Sequence, residues 1–384
     1  MYNRKLVFYA ACLGMLIFGI VMTTVGTILP SLIDKFSISR IDAGSLLFLM
    51  TLGMLVGSMG FGPIVDRFGY KSLLIICAGI IIIGLEGVAL ATSLGVLRIA
   101  VIMIGLGGGV INGGTNALVA DISESGKSAR LSYLGVFFGV GAFGVPFLMG
   151  NLITVMSYES VIAGVGLVVL LPLLFFSIIR FPLPKHQEGF PLKEGLGLTK
   201  EAVLLLMGLI LFFESGLEMT AGGWTATYFK EELAVTSSRA VIYLSIYWLG
   251  QMLARIVLSK LLTRHAPGLV LRVCLFIAII GSSLCILTDN VGLAVFGVFL
   301  LGVGFAAGFP VILGLIGEIY PSVTGTAFSL VFTLALIGGM TMPYLTGVIS
   351  HYFDFRISFI LVPLSLVCML VLLQVVLRKL PSKS

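Results

Sequence analysis

The chain has 384 residues, of which 59% are apolar and only 10% are charged, and its mean hydropathy is +1.17. Soluble domains carry roughly 25% charged residues, so this chain has too little polar surface to cover a water-soluble globule. The net charge is +6. The basic residues occur singly or in pairs at the ends of apolar blocks, which argues against nucleic acid as a partner.

Apolar blocks recur along the whole chain, each about 20 residues long, the length of helix that crosses ~30 Å of hydrocarbon. Backbone polar groups must be paired within a bilayer, and the alternating pattern of a barrel is absent. We therefore predict an all-α membrane protein with twelve transmembrane helices. The predicted spans are residues 6–33, 43–65, 72–92, 96–119, 131–153, 160–179, 202–222, 240–262, 269–287, 291–316, 325–349 and 355–377.

The sequence gives no sign of a catalytic centre. Its five cysteines lie inside apolar blocks without CxxC spacing, so we predict buried thiols and no metal site. A nucleotide-binding loop and a nucleophile–base set are also missing from the sequence. We therefore expect neither an enzyme nor a bound cofactor.

Lysine and arginine predict the orientation in the membrane. Most of these 23 residues fall between alternate spans and near the two ends of the chain. Such loops face the cytoplasm in membrane proteins. We therefore expect a multi-pass protein of the plasma (inner) membrane with both termini in the cytoplasm.

The chain divides into two related halves. Residues 181–200 contain prolines, glycines and mixed charges, and they predict a cytoplasmic linker between bundles 1–180 and 201–384. The halves match at a constant separation of 197 residues. Matched pairs include Gly19 and Gly216, Gly26 and Gly223, Gly53 and Gly250, Arg67 and Arg264, and Pro146 and Pro343. This register predicts two pseudo-symmetric six-helix bundles, an architecture found in transporters.

Residues 62–71, with the sequence GPIVDRFGYK, resemble the cytoplasmic loop signature of the major facilitator superfamily. Chain length and the six-plus-six layout also fit that superfamily. The resemblance implies alternating access, with charges at the inner face that latch the halves in one state. The predicted gate or latch residues are Asp66, Arg67, Lys71, Asp121, Arg255, Arg264 and Glu318. Thr263 stands where the second half would carry the counterpart of Asp66, so we expect a weaker latch there.

Further segments resemble the branch of bacterial fucose, galactose and glucose symporters. They are NGGTNALV at 112–119, the glycine ladder at 135–146, ESGLE at 214–218, YWLG at 247–250 and GFP at 308–310. The resemblance implies an acid in span four, at the position that Asn112 occupies here. Because an amide does not exchange a proton near neutral pH, proton coupling through that position is lost.

Two carboxylates in the seventh span are the candidate ion-coupling residues. A carboxylate inside an apolar span is costly, so it usually faces a cavity and is functional. Glu218 matches the acid that the resembled branch carries in this span, and Glu214 lies one turn earlier on the same face. Together they could share a proton or bind a cation. The alternative is a structural acid near the outer end of the span.

Polar and aromatic residues supply the candidate substrate contacts. Asn112 and Asn116 present amides at i and i+4 that suit sugar hydroxyls, although packing between helices is an equal alternative. An indole can stack on the C–H face of a sugar, or it can belong to an interfacial aromatic belt. The predicted substrate-binding residues are Asn112, Thr115, Asn116, Glu218, Trp224, Trp248 and Gln251. Arg255 can bind substrate or pair with a carboxylate, and we favour the second role.

These features predict a secondary active transporter for a small hydroxylated solute, such as a hexose. The sequence leaves two modes of transport open, coupling to H⁺ or Na⁺ and uncoupled uniport. An efflux antiporter for an amphipathic, drug-like compound and a non-transporting membrane sensor remain the alternatives. The expected partners are the solute, the coupling ion and membrane lipid, with no nucleic acid, and we expect a monomer.

Overall fold

The computed structural model describes residues 2–122, 127–182, 201–320 and 324–379, and within them the chain is helical without a β-strand. Twelve of the described segments are long and apolar enough to cross a membrane. Spans 1 to 6 are Arg4–Phe36, Arg40–Met59, Phe68–Ala89, Leu94–Val119, Tyr133–Leu152 and Tyr158–Ile178. Spans 7 to 12 are Ala202–Glu231, Ser237–Leu261, Pro267–Leu287, Val291–Ile319, Leu330–Tyr352 and Phe355–Lys379. The twelve-span prediction is confirmed.

The helices that contain these spans extend beyond them at several points. In chain order the helices are Arg4–Phe36, Arg40–Ala89, Leu94–Ile122, Lys127–Leu152, Tyr158–Ile178, Ala202–Glu231, Ser237–Leu261, Pro267–Leu287, Val291–Phe305, Gly308–Ile319, Thr324–Tyr352, Phe355–Phe359 and Leu361–Lys379. Residues 181 and 182 are described as non-helical, and the rest of the predicted linker lies outside the described residues.

Spans 2 and 3 differ from the prediction, which placed a loop between residues 65 and 72. The helix Arg40–Ala89 continues through this segment and is interrupted only at Gly69, with φ 75° and ψ 168°. Glycine adopts this positive φ without a steric clash because glycine has no Cβ. One residue therefore makes the turn between the two spans.

Span 10 was predicted over residues 291–316, and the structure has a span at Val291–Ile319 that consists of two helices. The helix stops at Phe305 and a new one begins at Gly308. Pro310 explains the interruption, because a proline ring clashes with the carbonyl four residues earlier, here that of Ala306. Span 12 is interrupted at Ile360 in the same way, with Pro363 one turn further on.

The first six and last six spans meet at the end of the bundle opposite the chain termini. Following the predicted orientation, we name this end the outer end and the other the inner end. Gly26 of span 1 packs against the span 7 backbone so tightly that an added Cβ would lie 2.0 Å from the Gly222 carbonyl oxygen. Small residues permit such close approach between membrane helices.

Ion pairs join the halves beside this glycine contact. Lys230 of span 7 pairs with Asp34 of span 1. Arg40, at the start of span 2, lies 2.6 Å from Glu231 and donates to the Ser350 carbonyl at 2.5 Å. The outer end of the space between the halves is therefore closed in this structure.

Candidate functional site

Charged side chains gather in the middle of spans 7 and 8. Gln251 donates through Nε2 to Oε1 of Glu218 at 2.6 Å, and the Arg255 guanidinium lies 3.8 Å from the same oxygen. Glu218 is only 6% exposed. Both partners come from span 8 at i and i+4, which places them on one helix face. Arg255 therefore belongs to this group in the structure, where the predicted pairing with a carboxylate is observed.

Glu214 lies one turn from Glu218 and is fully buried. Neither of its carboxyl oxygens has a well-formed hydrogen bond within the described residues. The carboxyl fits against the backbone of Gly308, where an added Cβ would lie 2.3 Å from Cδ and 2.4 Å from Oε1. The Glu214 carboxyl thus occupies the space at the start of the second helix of span 10 that any side chain larger than that of glycine at residue 308 would fill.

Tyr247 completes what we name the carboxylate cluster: Glu214, Glu218, Tyr247, Gln251 and Arg255. Its hydroxyl is buried without a hydrogen-bond partner among the described residues, one turn before Gln251 on span 8. In ionised form the two carboxylates and the guanidinium sum to one negative charge. An uncompensated charge is costly in a low-dielectric interior, so the cluster is suited to accept one monovalent cation.

The first half contributes an aromatic wall to this cluster. Phe138 of span 5 lies under the Arg255 guanidinium, 5.3 Å from the ring centroid, and its ring is 5.9 Å from that of Trp248. The Trp248 indole N–H is buried without a partner among the described residues. These contacts put the cluster at the boundary between the halves, where a solute would pass. Neither Phe138 nor the fit between Gly308 and Glu214 was predicted.

The predicted residues of span 4 bond mainly within their own helix. Asn116 donates to the Asn112 carbonyl at 2.8 Å and to its side-chain oxygen at 3.2 Å. Both amides are half-buried and keep further donor and acceptor capacity. Thr115 is fully buried, and its hydroxyl donates to the Ile111 carbonyl at 2.8 Å. Packing therefore accounts for Thr115, and we leave it out of the proposed site.

Trp224 also lies away from the cluster. Its indole is fully buried, donates to the Pro343 carbonyl at 2.9 Å and packs edge-on against Phe355. The N–H is therefore already satisfied within the second half. The ring has no exposed face in this structure, so a contact between Trp224 and the solute stays a prediction.

The predicted latch residues occupy the inner end. Lys71 donates to the Ser177 carbonyl at 2.7 Å, which ties span 3 to span 6 within the first half rather than joining the halves. Tyr70 donates to Asp121 at 2.8 Å. Arg264 and Glu318 lie on the surface. The side chains of Asp66 and Arg67 lie outside the described residues, so the latch stays a prediction.

Sequence comparison identifies the family. A sequence model of the Major Facilitator Superfamily matches residues 11–220 and 204–384. The chain belongs to this superfamily. It is therefore a multi-pass membrane transporter, and the predicted family is confirmed.

Individual relatives extend over nearly the whole chain. The uncharacterized transporter y4wD of Sinorhizobium fredii is 26% identical over 364 residues, covering 91% of this chain and 93% of the relative. The glucose/mannose transporter GlcP of Bacillus subtilis is 22% identical over 345 residues, covering 86% and 84%. A crystal structure of a D-xylose-proton symporter superimposes with a TM-score of 0.82 at 16% identity, over 98% of each chain. That structural likeness supports the fold.

Proposed function

We propose that this transporter takes up a small hydroxylated solute, a hexose or related sugar, across the plasma membrane together with one monovalent cation. The observation that carries the proposal is the carboxylate cluster. It holds two acids and one base between the halves, and one cation, H⁺ or Na⁺, neutralises it. Alternating access then exposes the solute and the cation together on each side in turn.

Within the cluster the two acids have different roles in this proposal. Glu218 is held by Gln251 and Arg255, which fixes its carboxylate toward the boundary between the halves. Glu214 has no such partners among the described residues and is the one that gains most from a bound cation. Asn112 in span 4 carries an amide, so coupling rests on span 7.

The sugar assignment rests on the groups that surround the cluster and on the named relatives. Gln251, Asn112 and Asn116 offer amide donors and acceptors, and Trp248 with Phe138 offers aromatic faces. GlcP is a glucose/mannose transporter by name. An efflux antiporter for an apolar compound would need fewer such polar groups.

The test is uptake of labelled glucose and related sugars into proteoliposomes, with and without a proton or Na⁺ gradient. We expect Glu218→Gln to abolish accumulation against a gradient while exchange without a gradient continues. The matched control is Glu86→Gln, since Glu86 is also a membrane-embedded acid but packs against Gly166, outside the cluster. We expect the control to accumulate sugar like the unaltered protein.

The two cations give different results. For H⁺, adding an acid back with Asn112→Asp in the Glu218→Gln background should restore part of the pH-driven uptake. For Na⁺, Glu218→Gln should instead lower Na⁺ affinity, because charged oxygens hold a hard cation better. Accumulation by Glu218→Gln equal to that of the unaltered protein would show that the cluster is structural.

A further inference from the structure

A deep groove opens on the membrane-facing side of spans 8, 9 and 10, away from the carboxylate cluster. It has a volume of about 560 Å³, and apart from His265 at its inner end every lining side chain is apolar. Along span 9 it runs from Leu269 to Ile277, a distance of about 12 Å at 1.5 Å per residue. One leaflet contributes about 15 Å of hydrocarbon. The groove is therefore nearly as long as the hydrocarbon of one leaflet, and its lining is apolar like an acyl chain.

Three basic residues are next in sequence to residues that line the inner part of this groove. Lys260 precedes Leu261, Arg264 precedes His265, and Arg272 precedes Val273. Between Glu232 and Asp289 the sequence contains no acidic residue. Among the described residues none of these three basic side chains forms an ion pair.

The equivalent region of the first half is built differently. In the register of 197 residues, Arg264 corresponds to Arg67, and Thr263 takes the place of the acid Asp66. Lys71 of the first half is bound to the Ser177 carbonyl. The second half therefore has lost the acid of the loop signature and has gathered cations beside an apolar groove.

We propose that this groove binds an anionic phospholipid. One acyl chain lies between spans 8, 9 and 10, and the phosphate lies among Lys260, Arg264 and Arg272. Basic residues near a bilayer surface attract anionic headgroups by roughly 1 kcal/mol each, or about fivefold in affinity. The three basic residues favour a negatively charged headgroup over a neutral one. The apolar groove favours a lipid over a soluble phosphate, because only the lipid has an acyl chain to fill it.

A lipid in this groove would contact the same helices that position the carboxylate cluster. Phe299 lines the groove and also packs against Gly250, where an added Cβ would lie 3.1 Å from the phenyl ring and 2.6 Å from the Phe299 carbonyl. Gly250 immediately precedes Gln251, the hydrogen-bond partner of Glu218. An acyl chain in the groove thus helps to maintain the distance between spans 8 and 10 next to the cluster.

Quenching of tryptophan fluorescence by brominated lipids tests the proposal in the full-length protein in vesicles. Val273→Trp places a reporter on the groove, where Val273 is 50% exposed. Leu171→Trp in span 6 is the matched control, because Leu171 is 67% exposed and lies at a similar distance from the inner end of its span. The native Trp224 and Trp248 are buried and give a common background.

We expect brominated phosphatidylglycerol to quench the groove reporter with about threefold or greater preference over brominated phosphatidylcholine, given the attraction per basic residue. The control reporter should show no preference. Adding Lys260→Gln, Arg264→Gln and Arg272→Gln to the groove reporter should remove the preference, and Arg264→Gln alone should reduce it. A second variant, Ala254→Phe, narrows the groove and should weaken quenching by both lipids.

Two results would overturn the proposal. Equal quenching by both lipids at the groove reporter would show that the headgroup is not selected. Protection of the groove reporter from both lipids, with normal quenching at the control, would show that a second copy of the chain covers the groove. Sugar uptake is not measured here, so the outcome is independent of the proposed function.

Discussion

The two halves share one glycine register but place different side chains in it. In that register Glu214 of span 7 corresponds to Ile17 of span 1, and Glu218 corresponds to Val21. Both apolar residues of span 1 are fully buried. The same helix position is therefore filled by packing in one half and by charge in the other. In the proposed function, the second half therefore supplies the ionisable groups and the first half supplies an apolar surface at these two positions.

Spans 4 and 10 differ in a matching way. Span 4 lies in a helix that is continuous from Leu94 to Ile122, whereas the corresponding helix of span 10 is interrupted before Gly308. Gly308 corresponds to Ile111 in the same register. A side chain of that size at residue 308 would occupy the space of the Glu214 carboxyl. The buried acid of span 7 therefore requires a glycine at residue 308.

The largest expected effect on exchange comes from a contact that both halves share. Gly26 and its counterpart Gly223 face each other, and an added Cβ at Gly26 would lie 2.8 Å from the Gly223 Cα. Gly26→Ala should disfavour the closed outer end by about 2 kcal/mol, a typical cost of overpacking. We expect sugar exchange to fall by at least tenfold while binding from outside persists. The control Gly144→Ala, where an added Cβ meets nothing within 4 Å, should exchange normally.

An intermediate effect is expected when span 7 is given the residue of span 1. Glu214→Ile should abolish cation-dependent accumulation and at the same time raise thermal stability in detergent. Burying an ionised group costs free energy, and replacing buried ionised groups by well-packed apolar ones is often neutral or stabilises by about 1–4 kcal/mol. Uptake and the unfolding temperature should be measured on the same preparation. A less stable variant would indicate that the carboxylate is needed for packing, contrary to the comparison of the halves.

The smallest effect is expected at the start of the second helix of span 10. Gly308→Ala forces the Glu214 carboxyl to move by a fraction of its side-chain length, since only one methyl group is added. We expect the cation affinity of uptake to weaken by roughly threefold to tenfold, in line with a cost of about 1 kcal/mol for a displaced buried group. Gly314→Ala, on the same helix with open space around it, is the control. Equal behaviour of the two variants would contradict the role of Gly308.

Much of the fold could be predicted because hydrophobic length and basic-residue distribution act locally. The span positions and the family signature at residues 62–71 needed no tertiary information. The interruption of span 10 was missed, although Pro310 was visible, because a membrane helix often tolerates proline: Pro146 and Pro343 lie inside unbroken helices. Whether a proline bends or ends a membrane helix depends on which groups of neighbouring helices form hydrogen bonds with the backbone carbonyls that the proline leaves unpaired.

The site was predicted in part for a related reason. The spacing of Glu214 with Glu218, and of Gln251 with Arg255, fixed which side chains share a face. The partner helix for each face depends on tertiary packing, so the sequence predicted a carboxylate partner for Arg255 without identifying it as Glu218. The sequence favoured Trp248 over Trp224 as a cavity residue because Trp224 lies near a span end, but it could not show that Pro343 accepts from the Trp224 indole and that the Trp248 indole has no partner among the described residues.

Under the proposed cation coupling, the net charge of the carboxylate cluster has a consequence for the electrical behaviour of transport. With a cation bound the cluster is neutral, so the loaded protein changes its access without moving charge. The empty protein carries one negative charge at this depth, and an elementary charge that crosses the whole membrane field changes energy by about 2.3 kcal/mol per 100 mV. A membrane potential that is negative inside therefore drives the return of the empty site toward the outside. Membrane voltage would therefore accelerate uptake by speeding the return of the empty transporter to its outward-facing state.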